Sequence, residues 1–283
     1  MKKIFLVLLM LLNLQAKSFF SNDDQKEASK YLMAVKDLIV AAQKTRGATY
    51  SYANGNENAM MLVYMFRDDM NSAIRTMESL PLSKNPIIGA RTTTISSAFV
   101  KLNSKALKMK PNEAFDAYTE NIAQTLLLAQ SVSQIGSEKM SPFGKKVTSI
   151  MMETILPLSE WMGQLRAIGS AACAKGGATK KDKIKMQILM SKIAKLDQEL
   201  QIKMSSAIKD NPSNFSPDVK ERLANAHKAI SHYLSITKKE VMKDKTNYNP
   251  DDYFALATDT IDSVIALFDI GHAAINEDAK GWF

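Results

Sequence analysis

Arg46 and Arg166 are the residues whose type and spacing could do chemistry here. Counting back from Arg46 in steps of three and four reaches Ala42, Ile39 and Val35, and counting forward reaches Thr49 and Tyr50. Those positions form one face of a 3.6-residue helix, so the guanidinium points where the apolar stripe points. In the second stretch, Ile155, Leu158 and Met162 lead to Arg166 in the same way. A buried arginine keeps its proton and is costly to leave unpaired, so each predicts an acceptor or an anion beside it. No acidic residue lies within one helical turn of Arg46.

The guanidinium fork matches flat oxyanions, because its donors lie in one plane. Nitrate is flat and singly charged, with three acceptor oxygens. Two guanidiniums and neutral side chains could surround it without a competing carboxylate. Thr45, Thr49, Ser51, Gln43, Gln164 and Ser170 are the neutral candidates, and Gly47, Ala48, Ala167 and Gly169 leave room. Two other readings stay open: the arginines snorkel to a helix edge, or each bonds a carboxylate from another helix.

The elements that must position these residues are helices. The 283 residues are 46% hydrophobic, with only 11 Gly and 8 Pro, and 3.6-period runs of Ala, Leu, Met, Lys and Gln dominate. Caps and breakers predict eight helices. The first opens at Asn22-Asp-Asp-Gln and reaches Asn54-Gly55. Others cover 56–80, 86–109 and 112–136. A fifth runs from Ser141-Pro142 to Lys175, kinked or restarted at Pro157. Gly176-Gly177-Ala-Thr179 turns into a sixth, a seventh covers 218–243, and Asn249-Pro250 caps an eighth.

Pro111, Phe115, Thr119 and Ile122 on the fourth helix match Pro250, Phe254, Thr258 and Ile261 on the eighth at one constant offset. With the like surroundings of Arg46 and Arg166, this predicts an internal duplication. The fold class expected is all-α: two four-helix up-and-down bundles, residues 22–137 and 140–275, preceded by a signal peptide over 1–16.

That signal peptide is read from Met1-Lys-Lys, a short apolar run and Ala16. The run falls well short of the roughly 20 residues needed to span a bilayer. The mature chain is expected in the bacterial envelope as an exported, periplasmic protein. Cys173 is the single cysteine, so no intrachain disulfide can form, and its Ala-rich setting reads as buried filler. Formal net charge is +8, falling to +6 without Lys2 and Lys3. The excess is spread along helices without aromatic interleaving, so no nucleic-acid partner is expected, while small anions are favoured.

His227, His232 and His272 lack metal-site spacing, and the 17 methionines read as adaptable core. Asp68-Asp69 and Asp251-Asp252 read as a solvated face and a helix start. No nucleophile–base set, phosphate loop or dinucleotide fingerprint appears, so no enzyme, metal or cofactor is expected.

Gln43-Lys-Thr-Arg46-Gly-Ala-Thr, Trp161-Met-Gly-Gln-Leu-Arg166-Ala-Ile-Gly-Ser and Asp252-Tyr-Phe254-Ala-Leu-Ala-Thr258 resemble the nitrate- and nitrite-sensing (NIT) domain, from about residue 30 to 272. The resemblance implies an all-helical pair of four-helix bundles binding nitrate or nitrite through arginines. Arg46 falls on the family's Arg-Gly motif, and Arg166 on its Gly-Gln-Leu-Arg motif. Thr45 stands where the family usually has Glu. With the neutral neighbours named above, the ligand set expected is Arg46 and Arg166 with Thr45, Gly47, Thr49, Gln164 and Ser170. Members usually carry an output module, and this chain ends soon after its last helix. A stand-alone sensor is therefore expected, signalling through a membrane receptor or sensor kinase, with pairing of two chains left open. The rival is a helical scaffold or adaptor without ligand, which predicts a carboxylate within reach of each arginine. A nitrate scavenger serving a transporter is a third reading.

Overall fold

The computed structural model describes residues 2–137 and 140–280, with side chains from Glu27 onward except that of residue 135. Every regular element among the described residues is helical. In order they are α1 (Lys2–Ala53), α2 (Ala59–Ser79), α3 (Pro86–Lys105), α4 (Pro111–Ser137), α5 (Pro142–Ile150), α6 (Leu156–Ala174), α7 (Lys180–Asp210), α8 (Val219–Ile236) and α9 (Pro250–Lys280).

Helix starts follow capping chemistry. Asn85 accepts from the amides of Ile87 and Ile88 at 3.0 and 3.2 Å ahead of α3. Ser141 accepts from Gly144 N–H at 2.9 Å, and Thr179 and Asp182 form a capping box on α7. Asn249 accepts from Asp251 N–H at 2.7 Å at the start of α9. Gly55 (φ 106°) and Gly176 (φ 73°) take the left-handed conformation in the turns after α1 and α6, where a side chain would be strained.

One boundary differs from expectation. The chain does not start its first helix at Asn22, because α1 already runs from Lys2; no Gly or Pro interrupts residues 2–53 except Gly47. At Pro157 the second of the two expected outcomes holds, a fresh segment: α6 begins at Leu156. A five-residue π-turn, Met151–Ile155, joins α5 to α6, and Pro157 sits in the first turn of α6, where its missing N–H costs least. A second π-turn, Thr237–Val241, extends α8. The side chains of the expected signal peptide, residues 1–16, lie outside the described ones.

α1 packs on α2 and α4, and α3 lies against α2 and α4. α6 packs on α7 and α9, with α8 against both. The two sets meet chiefly where α1 crosses α6. From Leu156 to Cys173 nearly every α6 residue is buried, and α1 is buried almost all round from Ala41 to Ser51. A helix apolar on every side belongs in a core, and each fully buried Leu or Ile there stabilises by about 1.5–3 kcal/mol. The two stripe arginines therefore sit at the centre of the molecule.

A buried arginine pair at the crossing of α1 and α6

Arg46 and Arg166 are both completely buried, as their stripe positions require. Each reaches the facing helix of its own set and finds the same two groups. Arg46 Nη1 donates to Thr119 Oγ1 at 3.0 Å, and its Cζ lies 5.2 Å from the Phe115 ring centroid. Arg166 Nη1 donates to Thr258 Oγ1 at 2.8 Å, and its Cζ lies 4.6 Å from the Phe254 ring. Both threonine hydroxyls donate in turn to a carbonyl one turn back, Phe115 at 2.8 Å and Phe254 at 2.7 Å. That orients their lone pairs toward the guanidiniums and adds cation–π attraction from below.

Glycines make the crossing possible. A Cβ on Gly163 would stand 3.1 Å from Arg46 Nη2, and one on Gly47 would stand 3.4 Å from Arg166 Nε and 3.0 Å from Phe254 Cε2. Each arginine thus lies against a glycine of the other central helix.

Beyond this likeness the two sites part. Glu160 on α6 accepts from Arg46 through both oxygens, Nη1 to Oε1 at 2.5 Å and Nη2 to Oε2 at 3.2 Å. The expectation that no carboxylate competes at Arg46 is therefore corrected: the partner comes from 114 residues away, across the crossing. Gln164 is not free for a ligand either, since its Nε2 donates to Glu160 Oε1 at 2.8 Å. Thr45 donates to the Ala41 carbonyl at 2.8 Å, the bond any helical threonine can make to its own turn.

Arg166 has no such partner. Its Nε and Nη2 are buried without a hydrogen bond, as is the hydroxyl of Ser170 one turn further along α6. Burial pulls the Arg166 pKa down to about 10; the Arg46 charge acts the same way, while Tyr233, Asp262 and Glu160 oppose it. The group stays cationic at neutral pH. Asp262 is itself balanced by Lys44 at 3.4 Å. Around the crossing, two guanidiniums face one carboxylate, which leaves one positive charge over.

Of the residues expected at the site, Arg46, Gly47, Gln164 and Arg166 meet at the crossing. Thr49 lies instead beside Tyr118, whose pKa it and Arg67 pull down against burial. Gln43 donates to Ser159 Oγ at 3.3 Å and leaves its Oε1 unpaired, and Ser51 accepts from Asn56 Nδ2 at 3.3 Å. Sequence reasoning missed Glu160, Thr119 and Thr258 as site residues. Glu160 carried a signal: it is the one acid between Thr154 and Ala174, where Arg166 is the one base.

Among the described residues no helix is long and apolar enough to cross a membrane, and no cluster of three His, Cys, Asp or Glu side chains could hold a metal. The fold matches the solved structure of the NasR transcription antiterminator with a TM-score of 0.64 at 11% identity, covering 97% of this chain and 74% of that one. That degree of identity speaks to the fold alone. No sequence among the curated proteins matches. The family model described as nitrate and nitrite sensing matches residues 37–269, most of the chain and both arginine helices, and the chain therefore belongs to the nitrate- and nitrite-sensing (NIT) family.

Proposed function

We propose that this chain senses nitrate or nitrite by binding one anion at the free edge of Arg166. The observation that carries this is the pair of parallel donors, Nε and Nη2, buried without a partner while Nη1 is held by Thr258. That edge suits two oxygens of a flat oxyanion, and the surplus positive charge at the crossing suits a single negative one. Ser170 stands near as a neutral hydroxyl. Arg46 supports the ligand indirectly, since Glu160 already neutralises it.

Arg166 is fully buried, so an anion reaches it only if α1, α6 and α9 shift apart. A ligand preferring the opened packing would bias the chain toward it, which is the sensing step. We further infer an internal duplication, 22–137 and 140–275. The matching pairs Arg46–Phe115–Thr119 and Arg166–Phe254–Thr258 support it. Residues 1–16 are read as an export signal, and the output as docking on a membrane receptor or sensor kinase.

The scaffold reading finds support at Arg46 alone, where the ion pair with Glu160 needs no ligand. Calorimetry decides between them. Wild type is expected to take up nitrate or nitrite at a site that Arg166→Lys loses, because lysine keeps the charge without the fork. Thermal melting confirms that the variant is folded. Equal stoichiometry and affinity in wild type and Arg166→Lys would overturn the proposal.

A further inference from the structure

The inner side of α7, with Met186, Leu189, Ile193, Leu200 and Met204, packs on α5, α6 and α8. Its outer side carries three isoleucines in the open: Ile184 and Ile188 are each 52% exposed, and Ile202 is 71% exposed. Ile202 comes 18 residues after Ile184, which is about five whole turns, so the two side chains leave the helix in one direction about 27 Å apart. Ile188 stands one turn past Ile184. Lys195 and Lys209 project within about 20° of the same line, and Lys180 and Lys181 flank its start.

Charge on α7 is lopsided. It holds eight lysines and four acids, and every acid is engaged. Asp182 closes the capping box with Thr179, and buried Asp197 meets His227 at 2.7 Å. Glu199 meets Lys203 at 3.5 Å, and Asp210 meets Lys146 at 2.6 Å. Lys180, Lys181, Lys195 and Lys209 are exposed and form no ion pair among the described residues. Lys220 of α8 lines the groove beside Lys209 and extends the positive face.

We propose that the outer face of α7 docks on an anionic phospholipid surface, Ile184, Ile188 and Ile202 entering below the headgroups and the lysines resting on lipid phosphates. The isoleucines stand on a convex ridge, too far apart from end to end for one partner side chain to bridge. A bilayer is flat and continuous, takes up apolar side chains along a helix face, and answers unpaired lysines beside them. α7 has neither an arginine nor an aromatic residue, which argues against nucleic acid, whose bases need a platform to stack on. The proposal does not rest on the anion at Arg166.

Sedimentation of the full chain with vesicles tests it, using equal parts phosphatidylglycerol and phosphatidylcholine against phosphatidylcholine alone. Wild type is expected to prefer the anionic vesicles, less strongly in high salt. Lys195→Gln with Lys209→Gln should weaken that partition about fivefold for each lysine replaced. Lys101→Gln with Lys105→Gln removes the same charge from exposed positions on α3 and should leave it unchanged. Ile184→Ser with Ile202→Ser should weaken it about tenfold, at low and high salt alike. All these positions are exposed, and thermal melting confirms that each variant is folded. No preference for the anionic vesicles would overturn the proposal. Equal losses from the α7 and α3 lysine pairs would do so too, because net charge alone would then account for binding. So would a serine pair that partitions like wild type: only charge would then be read, as by an acidic protein, or the apolar run near the N-terminus would be holding the chain.

Discussion

Glu160 clasps Arg46 with both oxygens, at 2.5 and 3.2 Å, from the helix that also carries Arg166. The step of six residues from Glu160 to Arg166 puts the carboxylate and the free guanidinium on one buried helix, almost two turns apart. α6 therefore brings one charge that satisfies its neighbour and one that is left unsatisfied. In α1 the position six before Arg46 is Val40, so Arg166 receives no reciprocal carboxylate.

Glu160→Gln should expose this asymmetry. Removing one partner of a buried ion pair leaves an uncompensated charge and costs about 3–5 kcal/mol. The variant is expected to melt well below wild type in anion-free buffer. Added nitrate should recover more stability than it gives wild type, because two guanidiniums would then lack an anionic partner. Thermal melts with and without nitrate read both effects; an equal nitrate-induced shift in the two proteins would sink the charge-surplus account.

Thr258→Val and Thr119→Val are the same change on matching positions, yet their effects should differ. Valine keeps the shape and removes the hydroxyl. At Arg46 the carboxylate remains, so Thr119→Val should cost about 1 kcal/mol. At Arg166 the single hydrogen bond goes, and the cost should rise toward about 3 kcal/mol, together with weaker anion binding. Denaturant unfolding of the two variants side by side checks the order; equal losses would contradict it.

The stripe arithmetic put both arginines in the core, and both are there. Helix ends were legible at Asn85, Ser141, Thr179 and Gly176, because capping is local chemistry, whereas Asn22 marks no start, since α1 runs through it. Phe115, Thr119, Phe254 and Thr258 stood out as a repeat, but their role beneath the guanidiniums did not, since a recurrence in sequence does not say what each side chain faces. Glu160 was invisible as Arg46's partner for a plainer reason. The bond joins residues 114 apart, and its existence depends on how α1 and α6 cross. Thr49 lies one turn from Arg46, so spacing groups the two, but its hydroxyl lies beside Tyr118.

Glycine substitutions at the crossing should separate stability from binding. Alanine in place of an interior helical glycine gains up to about 1 kcal/mol where space allows. At Gly47 the new Cβ would meet Phe254 Cε2 at 3.0 Å and Arg166 Nε at 3.4 Å, so Gly47→Ala should fold with near wild-type stability but bind nitrate less well. At Gly169 the Cβ would fall 2.2 Å from Tyr253 Cε1. Tyr253 cannot retreat easily, since its hydroxyl bonds Thr237 Oγ1 at 2.8 Å and Tyr233 at 3.4 Å. Gly169→Ala is expected to lose about 3 kcal/mol or more. Melting temperatures and nitrate calorimetry on both variants test the pair, and a stable, fully binding Gly169→Ala would refute the packing described.

Cys173 gives a prediction about pH. Burial among the small residues of α6 pushes its thiol up from 9.0 to about 12. A native thiol at pH 8 is then about a thousandfold poorer in thiolate than a free cysteine, and the thiolate is the reactive form. The folded-state pKa is the raised one, so the neutral thiol's contribution to stability is present in full below about 9. It is lost progressively as pH climbs toward about 12, while the unfolded chain ionises. Maleimide labelling at pH 8 should therefore be very slow on the native protein and complete within minutes in guanidinium. Cys173→Ala should flatten the fall of stability between those pH values relative to wild type. Prompt native labelling at pH 8 would show that the thiol is open to solvent, and the tight packing of α6 against its neighbours would have to be given up at that point.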